Sequence, residues 1–299
     1  MSSDSTEVVR KMRLPLTQKY ARRGVPVVLA LGVAVTSAAA VQASTGHPAA
    51  SQAVQAGSVT TAAVDLTDPH KKDIAMQLVS SAENSSLDWR AQFKYIEDIG
   101  DGRGYTARII GFCSGTGDML DLVQLYTDRK PGNVLAKYLP ALRKVNGSDS
   151  HSGLDPNFPA DWRKAASDKV FQQAQEDERD RVYFNPAVNQ AKKDGLRALG
   201  QFIYYDAIVM HGPGSDADSF GGIRAAALKK AKTPAQGGNE TTYLNAFLDA
   251  RKVAMKHEEA HSDTSRVDTE QRVFLKAGNL DLNPPLRWKV YGDSYSINS

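Results

Sequence analysis

The stretch from residue 185 to residue 211 limits the possible folds of this chain more than any other segment. It opens with Asn185-Pro186, a common helix start because proline fits the first helical turn, and Gly212-Pro213 is expected to end it. The second half of the stretch is apolar on nearly every side. A helix of that kind belongs in the interior of a protein. The sequence therefore predicts one long central helix around which two lobes pack.

Asp206 lies within the apolar half of this predicted helix. An ionised carboxylate in such surroundings needs a partner, because an unpaired buried charge is strongly destabilising. Arg251 and Arg266, which lie on later segments, are the partners that we expect.

The rest of residues 67–299 is predicted to be mainly helical with one small β-element, which makes the fold class α+β. Asp68-Pro69 is a typical helix start, and the apolar residues Ile74, Leu78 and Ala82 follow at a spacing of four. Residues 95–99 are predicted to form a short helical piece and residues 105–112 a strand. Further helices are predicted at residues 118–128, 135–145, 161–175, 242–256 and 269–276.

The first 43 residues have the features of a signal peptide. A basic stretch that includes Arg22-Arg23 precedes an uncharged apolar run at residues 25–41, which ends in the small residues of Val41-Gln42-Ala43. The arginine pair is typical of twin-arginine export. A membrane anchor is the alternative, but roughly seventeen apolar residues are at the short limit for a span. We therefore expect a secreted, extracellular protein.

The composition of residues 44–299 indicates a linker and excludes one class of function. Residues 44–66 contain almost no large apolar side chain, which predicts a disordered pro-segment or linker before a catalytic domain at residues 67–299. The net charge of +3 arises within residues 1–65, so the remainder of the chain is formally neutral. A nucleic-acid-binding domain is normally strongly basic, and that class is therefore not expected.

Cys113 is the single cysteine, so the chain cannot form an intramolecular disulfide. The stretch Gly111-Phe112-Cys113-Ser114-Gly115 superficially resembles a nucleophile elbow. A free cysteine is more often a small buried apolar residue, and no other feature of the sequence indicates a thiol enzyme. We expect Cys113 to be part of the core.

Two acidic residues form the strongest candidate site. Glu83 falls at the end of the first predicted helix, where the helix dipole and apolar neighbours would favour the protonated carboxyl of a general acid. Asp101 follows eighteen residues later on a glycine-rich turn, whose polar, solvated backbone is expected to keep its carboxylate ionised. Two carboxylates in such different environments are what acid-catalysed glycoside cleavage requires. Spacing alone does not rank them above the nearby Glu97, Asp98 and Asp118.

A zinc site is the main competing interpretation. His257-Glu258-Glu259-Ala260-His261 matches the pattern in which a helix presents two imidazoles and a glutamate base. Three features argue against zinc. Glu259 occupies a position that zinc helices normally bury, and a helix-breaking stretch follows His261 at once. Glu270 is the only candidate for a third ligand. We therefore expect no metal and no cofactor.

Other residues are expected to have structural roles. His211 is expected to cap a helix. Trp89, Trp162 and Trp288 are expected to anchor the core rather than to stack on sugars.

Several longer motifs match a known family. The stretches at residues 81–85, 95–106 and 111–118 closely resemble the bacterial chitosanases of glycoside hydrolase family forty-six. The likeness continues through residues 201–214 and 263–269, so it covers essentially all of residues 67–299. It implies a lysozyme-like, mainly helical fold with two lobes, and endo-hydrolysis of β-1,4-linked glucosamine polymers with inversion at the anomeric carbon.

The resemblance also implies a role for individual residues. Glu83 matches the general acid of the family, Asp101 its general base, and Thr106 a residue that holds the attacking water. A buried ion network that leads towards the acid is implied for Asp206, Arg251 and Arg266. Sugar-binding positions are predicted at Tyr95, Arg103 and Asp118.

The expected partners are chitosan and glucosamine oligosaccharides, bound by a monomer that contacts neither nucleic acid nor, after loss of its leader, a membrane. Chitosan is a polyamine, and acidic residues concentrated in a cleft would attract it. Two other classes remain open: a zinc hydrolase that uses His257, Glu258 and His261, and a polysaccharide-binding protein that does not cut.

Overall fold

Helices dominate the fold. The structure is a computed structural model that describes residues 64–107, 109–257 and 262–299. Its α-helices in these ranges are α1 (Pro69–Asn84), α2 (Asp118–Arg129), α3 (Leu139–Val145), α4 (Phe158–Ala165), α5 (Lys169–Arg179), α6 (Asn185–Lys193), α7 (Ala198–His211), α8 (Phe220–Leu228), α9 (Glu240–His257) and α10 (Arg272–Lys276). Shorter helical segments are the 3₁₀ turns Trp89–Lys94, Ala136–Tyr138 and Pro234–Gln236 and the π-helices Asp180–Phe184 and Arg266–Gln271.

Two small antiparallel sheets complete the fold. The first contains β1 (Ile96–Asp98), β2 (Tyr105–Ala107) and β3 (Phe112–Cys113) in that order, with Thr106 opposite Cys113. The second is a hairpin of β4 (Leu286–Val290) and β5 (Asp293–Ile297). The mainly helical α+β fold class that the sequence predicts is confirmed.

Helix α1 starts where the sequence predicts. The carboxylate of Asp68 accepts hydrogen bonds from the backbone N–H groups of His70 at 3.0 Å and Lys71 at 3.1 Å, and Pro69 occupies the first turn. These bonds satisfy N–H groups that a helix start would otherwise leave unpaired. The buried face of α1 carries Ile74, Leu78 and Ala82. The register of this face places Glu83 in the last turn of the helix.

Helix α7 is the buried centre of the fold. Every residue from 198 to 210 is buried, including Gln201 and Asp206. One group of elements that contact each other contains α2 to α5 and the first sheet, and a second group contains α6 to α9; the π-helix Asp180–Phe184 contacts both. Helix α10 and the second sheet contact the π-helix Arg266–Gln271, which is hydrogen-bonded to α7. Helix α1 contacts both groups, through the 3₁₀ turn Trp89–Lys94 on one side and α7 on the other. Helix α1 therefore lies between the two groups, and Glu83 lies in its last turn.

The prediction of one long helix over residues 185–211 is wrong, because the chain turns between α6 and α7. Gly195 adopts a φ of +77°, which L-residues rarely adopt. A Cβ atom at this position would lie 2.9 Å from the backbone nitrogen of Ala235. The preceding Asp194 accepts two hydrogen bonds from Arg224, at 2.6 and 2.7 Å, and one from Tyr204 at 2.7 Å. Tertiary contacts therefore fix a break that the apolar pattern conceals.

Other predicted elements also differ in detail. Residues 95–99 are not helical: the 3₁₀ turn ends at Lys94 and strand β1 follows. The predicted strand at residues 105–112 is divided into β2 and β3, and the predicted helix at 161–175 into α4 and α5. The second division occurs at Asp168, whose carboxylate accepts from the backbone N–H of Val170 at 3.0 Å and starts a new helix.

The C-terminal hairpin is absent from the predictions, whose last element is the helix at residues 269–276. Its signal is present in the sequence, since Leu286, Trp288 and Val290 are buried in alternation with exposed residues. Tyr291 and Gly292 both have positive φ, at 52° and 89°, as a two-residue hairpin turn requires.

The predicted leader and most of the predicted linker lie outside the described residues. Leu66, which the sequence assigns to the linker, is fully buried, and its backbone N–H donates to Gln201 Oε1 at 2.9 Å. Among the residues that the structure describes, no helix has the length and apolar character that a membrane span needs.

We predict that Gly195→Ala lowers the free energy of unfolding by ~2 kcal/mol or more, because it combines a strained φ with a steric conflict at residues 234–235. Gly237→Ala is the matched control, since φ is +81° there but nothing lies within 4 Å of the added Cβ. The control is expected to lose only ~1 kcal/mol, the cost of the backbone strain alone. Urea denaturation of both variants measures the difference, and equal losses would contradict the steric explanation.

Candidate active site

Glu83 contacts a buried arginine at the end of α1. Arg266 Nη1 donates a hydrogen bond to Glu83 Oε1 at 2.6 Å, and the two side chains are 2% and 15% exposed. The partners are 183 residues apart in sequence. This contact agrees with the predicted ion network that leads towards the acid, and it shows that the neighbours of Glu83 are not only apolar. The carboxyl of Glu83 is oriented by a guanidinium group.

Asp206 is the centre of the ion network behind Glu83. Arg266 donates to Asp206 Oδ1 at 2.9 and 2.6 Å, Arg251 Nη1 donates to Oδ2 at 2.6 Å, and Gln271 Nε2 donates to Oδ2 at 2.7 Å. Burial by itself would raise the pKa of Asp206, but the charges of Arg266 and Arg251 outweigh it and lower the pKa to about 2. Asp206 is therefore an ionised carboxylate in the interior of the fold.

Arg251 links this network to the end of α7. Its Nη2 contacts Met210 Sδ at 3.3 Å, and its Nε donates to His211 Nε2 at 3.4 Å. Burial lowers the pKa of the Arg251 guanidinium, against the opposing effect of Asp206. His211 therefore adjoins the network as well as the C-terminus of its helix.

Gln271 is a network residue that the sequence analysis did not identify. Besides its bond to Asp206, its Oε1 accepts from Arg251 Nη1 at 3.2 Å. It lies on the same π-helix as Arg266, and the five-residue spacing brings both side chains to one carboxylate. A uniform 3.6-residue period does not predict that spacing.

Asp101 lies on the bend between β1 and β2 and is covered by Arg103. The Arg103 backbone N–H donates to Asp101 Oδ1 at 3.1 Å, and its guanidinium donates to Oδ2 at 2.8 and 2.5 Å. The side chain of Asp101 is only 2% exposed. The turn is exposed at Gly100 and Gly102, as the sequence predicts, but the side chain of Asp101 is shielded from solvent and contacts Arg103 directly.

Thr106 and Asp118 lie around Cys113 in the first sheet. Thr106 is 1% exposed, and its Oγ1 is 3.4 Å from Cys113 Sγ. Asp118 Oδ1 accepts from the backbone N–H groups of Cys113 at 2.9 Å and Met119 at 3.0 Å, and from the Thr116 hydroxyl. Loss of hydration raises the pKa of Asp118. Asp118 thus joins β3 to the start of α2.

Cys113 is a core residue, as the sequence predicts. It is fully buried, and burial together with the charge of Asp118 raises the pKa of its thiol to about 11. A thiol that stays protonated at neutral pH is a poor nucleophile, which argues against the nucleophile-elbow interpretation.

The tryptophans also anchor the core, as predicted. Trp89, Trp162 and Trp288 are at most 5% exposed. Each indole N–H is satisfied: Trp162 donates to the backbone oxygen of Phe93 at 3.1 Å, and Trp288 donates to Ser81 Oγ at 3.0 Å. Trp89 donates to Asp73 at 3.1 Å.

Tyr95, a predicted sugar-binding residue, is less buried than the tryptophans, and its hydroxyl donates to Glu97 Oε2 at 2.6 Å.

The proposed zinc motif can be examined only in part. Glu258 and His261 lie outside the described residues, and the described His257 pairs through Nδ1 with Asp218 Oδ1 at 2.6 Å. Among the residues that the structure does describe, no group of three or more histidine, cysteine, aspartate or glutamate side chains is arranged to hold a metal ion.

The candidate residues therefore form two clusters. The first, which we call the arginine network, contains Glu83, Arg266, Asp206, Arg251 and Gln271. The second contains Asp101 and Arg103 on the bend, next to the sheet that carries Thr106. Helix α1 and strand β2 both contact the 3₁₀ turn Trp89–Lys94, which connects the elements that carry the two clusters.

We predict that Arg266→Ala lowers the free energy of unfolding by ~3–5 kcal/mol, because it leaves the buried carboxylate of Asp206 with less than its full charge compensation. Arg197→Ala is the control: Arg197 pairs with Asp281, and both side chains are partly exposed. Exposed ion pairs contribute only ~0–1 kcal/mol. Thermal denaturation compares the two, and a melting temperature of Arg266→Ala equal to that of the control would refute the network role.

Known proteins match most of this chain. The profile of glycosyl hydrolase family 46 matches residues 77–286. A chitosanase of Streptomyces sp. (strain N174) is 74% identical over 271 residues, which make up 91% of this chain and 97% of that protein. The co-crystal structure of chitosanase OU01 with substrate has a TM-score of 0.75 and 62% identity, over 79% of this chain and 99% of that one. A GH46 chitosanase of Gynuella sunshinyii in complex with chitotetraose has a TM-score of 0.70 and 35% identity, over 77% of this chain and 98% of that one. With matches of this extent and identity, the chain belongs to glycosyl hydrolase family 46.

Proposed function

We propose that the protein is a secreted endo-chitosanase, which cleaves β-1,4 linkages between glucosamine units with inversion at the anomeric carbon. Family membership supports glycoside hydrolysis, and the relatives described above are chitosanases, two of them solved with substrate or chitotetraose. The proposed mechanism rests on the observation that the two carboxylates lie on different elements, Glu83 in the last turn of α1 and Asp101 on the bend after β1.

Glu83 is the proposed general acid, which gives its proton to the oxygen of the leaving sugar. The bond from Arg266 to Oε1 fixes the orientation of the carboxyl group. When the proton leaves, Glu83 becomes a carboxylate next to a positive charge, and this ion pair stabilises the product of the transfer. Asp206 holds Arg266 in place, so we propose that it acts through Arg266 and not on the sugar.

Asp101 is the proposed general base, which activates a water molecule that Thr106 helps to hold. The three hydrogen bonds from Arg103 fix the orientation of the Asp101 carboxylate. They also cover it, so water reaches Asp101 only after the guanidinium turns aside. We propose that Arg103 makes this movement when it contacts the sugar. Tyr95 and Asp118 are proposed as further sugar-binding residues.

The proposed organisation of the chain follows the sequence. Residues 1–43 are a signal peptide, residues 44–66 connect it to the catalytic domain at 67–299, and the mature enzyme is an extracellular monomer. The buried position of Leu66 supports a fold that begins close to this boundary.

The first experiment separates the proposed activity from its two alternatives. Release of reducing ends is measured on chitosan and on chitin, each with and without a chelator. A chitosanase of the proposed kind cuts chitosan equally well in both conditions. Loss of activity with the chelator would favour the zinc hydrolase, and retention of the polymer without cutting would favour a binding protein.

We predict that Glu83→Gln and Asp101→Asn each lower kcat on chitosan by ~10²-fold or more, because a positioned acid or base contributes about that factor. Asp128→Asn removes an exposed carboxylate from α2 and serves as the control. Initial rates of reducing-end release measure the effect in folded variants. If either active-site variant retained the turnover of the control, its residue would have no part in the mechanism.

The stereochemistry of the product gives a further prediction. With the two carboxyl groups ~6.5–9.5 Å apart, a water fits between Asp101 and the anomeric carbon, and the initial product is the α-anomer; at ~5–5.5 Å the carboxylate attacks directly and the configuration is retained. We expect the α-anomer. Proton NMR during the first minutes of digestion distinguishes the two, and an initial β-anomer would exclude Asp101 as a base that acts through water.

A further inference from the structure

His151 lies between two carboxylates, next to the bend that carries Asp101. Its Nε2 is 3.0 Å from Asp98 Oδ2, and its Nδ1 is 3.4 Å from Asp155 Oδ2. Its ring stacks on that of Tyr105, with 4.0 Å between the ring centroids and 12° between the planes. The mechanism above uses none of these contacts. They join the loop between α3 and α4 to the end of β1 and the start of β2, on either side of the bend.

This arrangement suits the charged form of the histidine. A neutral imidazole has one N–H group and one bare nitrogen, and a carboxylate repels the bare nitrogen, whereas an imidazolium has an N–H group on both sides. Nε2 is buried and makes no aligned hydrogen bond with the described residues, so its contact with Asp98 is mainly one between charges. The face of the tyrosine ring also attracts a cation. The side chain of His151 is 24% exposed, so the ring exchanges its proton with water.

Other ionisable groups near the ring come from β2 and α4. The Tyr105 hydroxyl donates to Asp155 Oδ1, and burial together with this hydrogen bond raises the pKa of Tyr105 to about 12. The charge of Arg163 on α4 acts on the same hydroxyl in the opposite direction, and its guanidinium donates to a backbone oxygen of β1 at 3.2 Å. Among the described side chains, His151 is the basic group within ion-pair distance of both Asp98 and Asp155.

Asp98 connects the ring to the bend. Its Oδ1 accepts a hydrogen bond from the backbone N–H of Gly100 at 2.8 Å, one residue before Asp101. The loop also touches the bend directly, because a Cβ atom at Gly104 would lie 3.4 Å from the backbone oxygen of Asp149. Loss of the contact between the ring and Asp98 would therefore loosen the bend next to the proposed base.

We propose that His151 is a positioning residue that holds the bend, and with it Asp101, in place while its ring is protonated. The imidazolium joins Asp98 to Asp155, two carboxylates that repel each other when no cation lies between them. A neutral ring leaves one of them facing a bare nitrogen, so Asp98 no longer fixes the amide of residue 100. The ring takes its proton from water and gives none to the sugar. The inference rests on the proposed role of Asp101 as the base.

The test is the pH profile of kcat/KM on a soluble glucosamine oligosaccharide for His151→Phe, which keeps a ring on Tyr105 but carries no charge. The ratio of variant to wild type cancels the titration of the substrate amines. It should lie ~3–10-fold below one at acid pH, since ~1 Å of misplacement costs up to ~10²-fold and a loosened bend costs part of that. At alkaline pH the wild-type ring is also neutral, so the ratio should approach one. A ratio that is constant across pH would overturn the proposal.

His70→Phe is the matched control. His70 is an exposed residue in the first turn of α1, so its ratio to wild type is expected to be the same at every pH. An inactive Asp101→Asn together with a constant ratio for His151→Phe would refute this inference alone. An Asp101→Asn variant with the turnover of the wild type would refute the proposed base itself.

A measurement without substrate keeps the proposal testable if His151→Phe does not fold. The ring carbon Cε1 of His151 and the backbone amide of Gly100 are followed by NMR through a pH titration of the wild type and of Asp98→Asn. In the wild type, the Gly100 amide is expected to shift with the same midpoint as the ring, because Asp98 joins the two. In Asp98→Asn that shift should disappear. A wild-type Gly100 amide that does not follow the ring would show that the bend is independent of His151 and would overturn the proposal.

Discussion

The buried ion pair between Asp206 and Arg266 is the interaction on which the rest of the structure depends. It allows a carboxylate to lie in the middle of a helix that is otherwise buried on all sides, and it connects α7 to the π-helix near the C-terminus. The same guanidinium reaches Glu83 through its remaining nitrogen. Three segments that are far apart in sequence therefore meet at one side chain. The orientation of the proposed acid consequently depends on the packing of the entire helical core.

The proposed base is held in a different way. Asp101 receives its hydrogen bonds from Arg103, two residues further along the same bend, so its geometry depends on a local turn rather than on the packing of the helical core. A change in core packing would therefore displace Glu83 before it displaced Asp101. The difference suits the two roles, because a general acid must be aimed at one oxygen of the substrate, whereas a base that acts through water tolerates some movement.

The sequence correctly predicted those parts of this arrangement that depend on short-range patterns. The start of α1 followed from its capping residue and proline, and the need for arginines near Asp206 followed from the cost of an unpaired buried charge. It failed where tertiary contacts decide. The break at Gly195 is fixed by residues 234–235. The contact between Arg266 and Glu83, in contrast, agrees with the ion network that the resemblance implies. The π-helix Arg266–Gln271 was not predicted, because its wider turn, which aligns Arg266 with Gln271, has no simple hydrophobic period. The C-terminal hairpin had a readable signal in its alternating residues and its turn.

Stability alone does not explain why the core contains this network. Replacing a buried ion pair by well-packed apolar residues is often neutral or stabilising, by about 1–4 kcal/mol. An apolar replacement at Asp206 and Arg266 would, however, remove the positive charge that faces Glu83. The general acid that we propose at this position would become an anion in every catalytic cycle, and a fixed cation with a fixed counterion would stabilise that anion without reorganisation of water. The proposed chemistry at Glu83 therefore accounts for the network better than stability does.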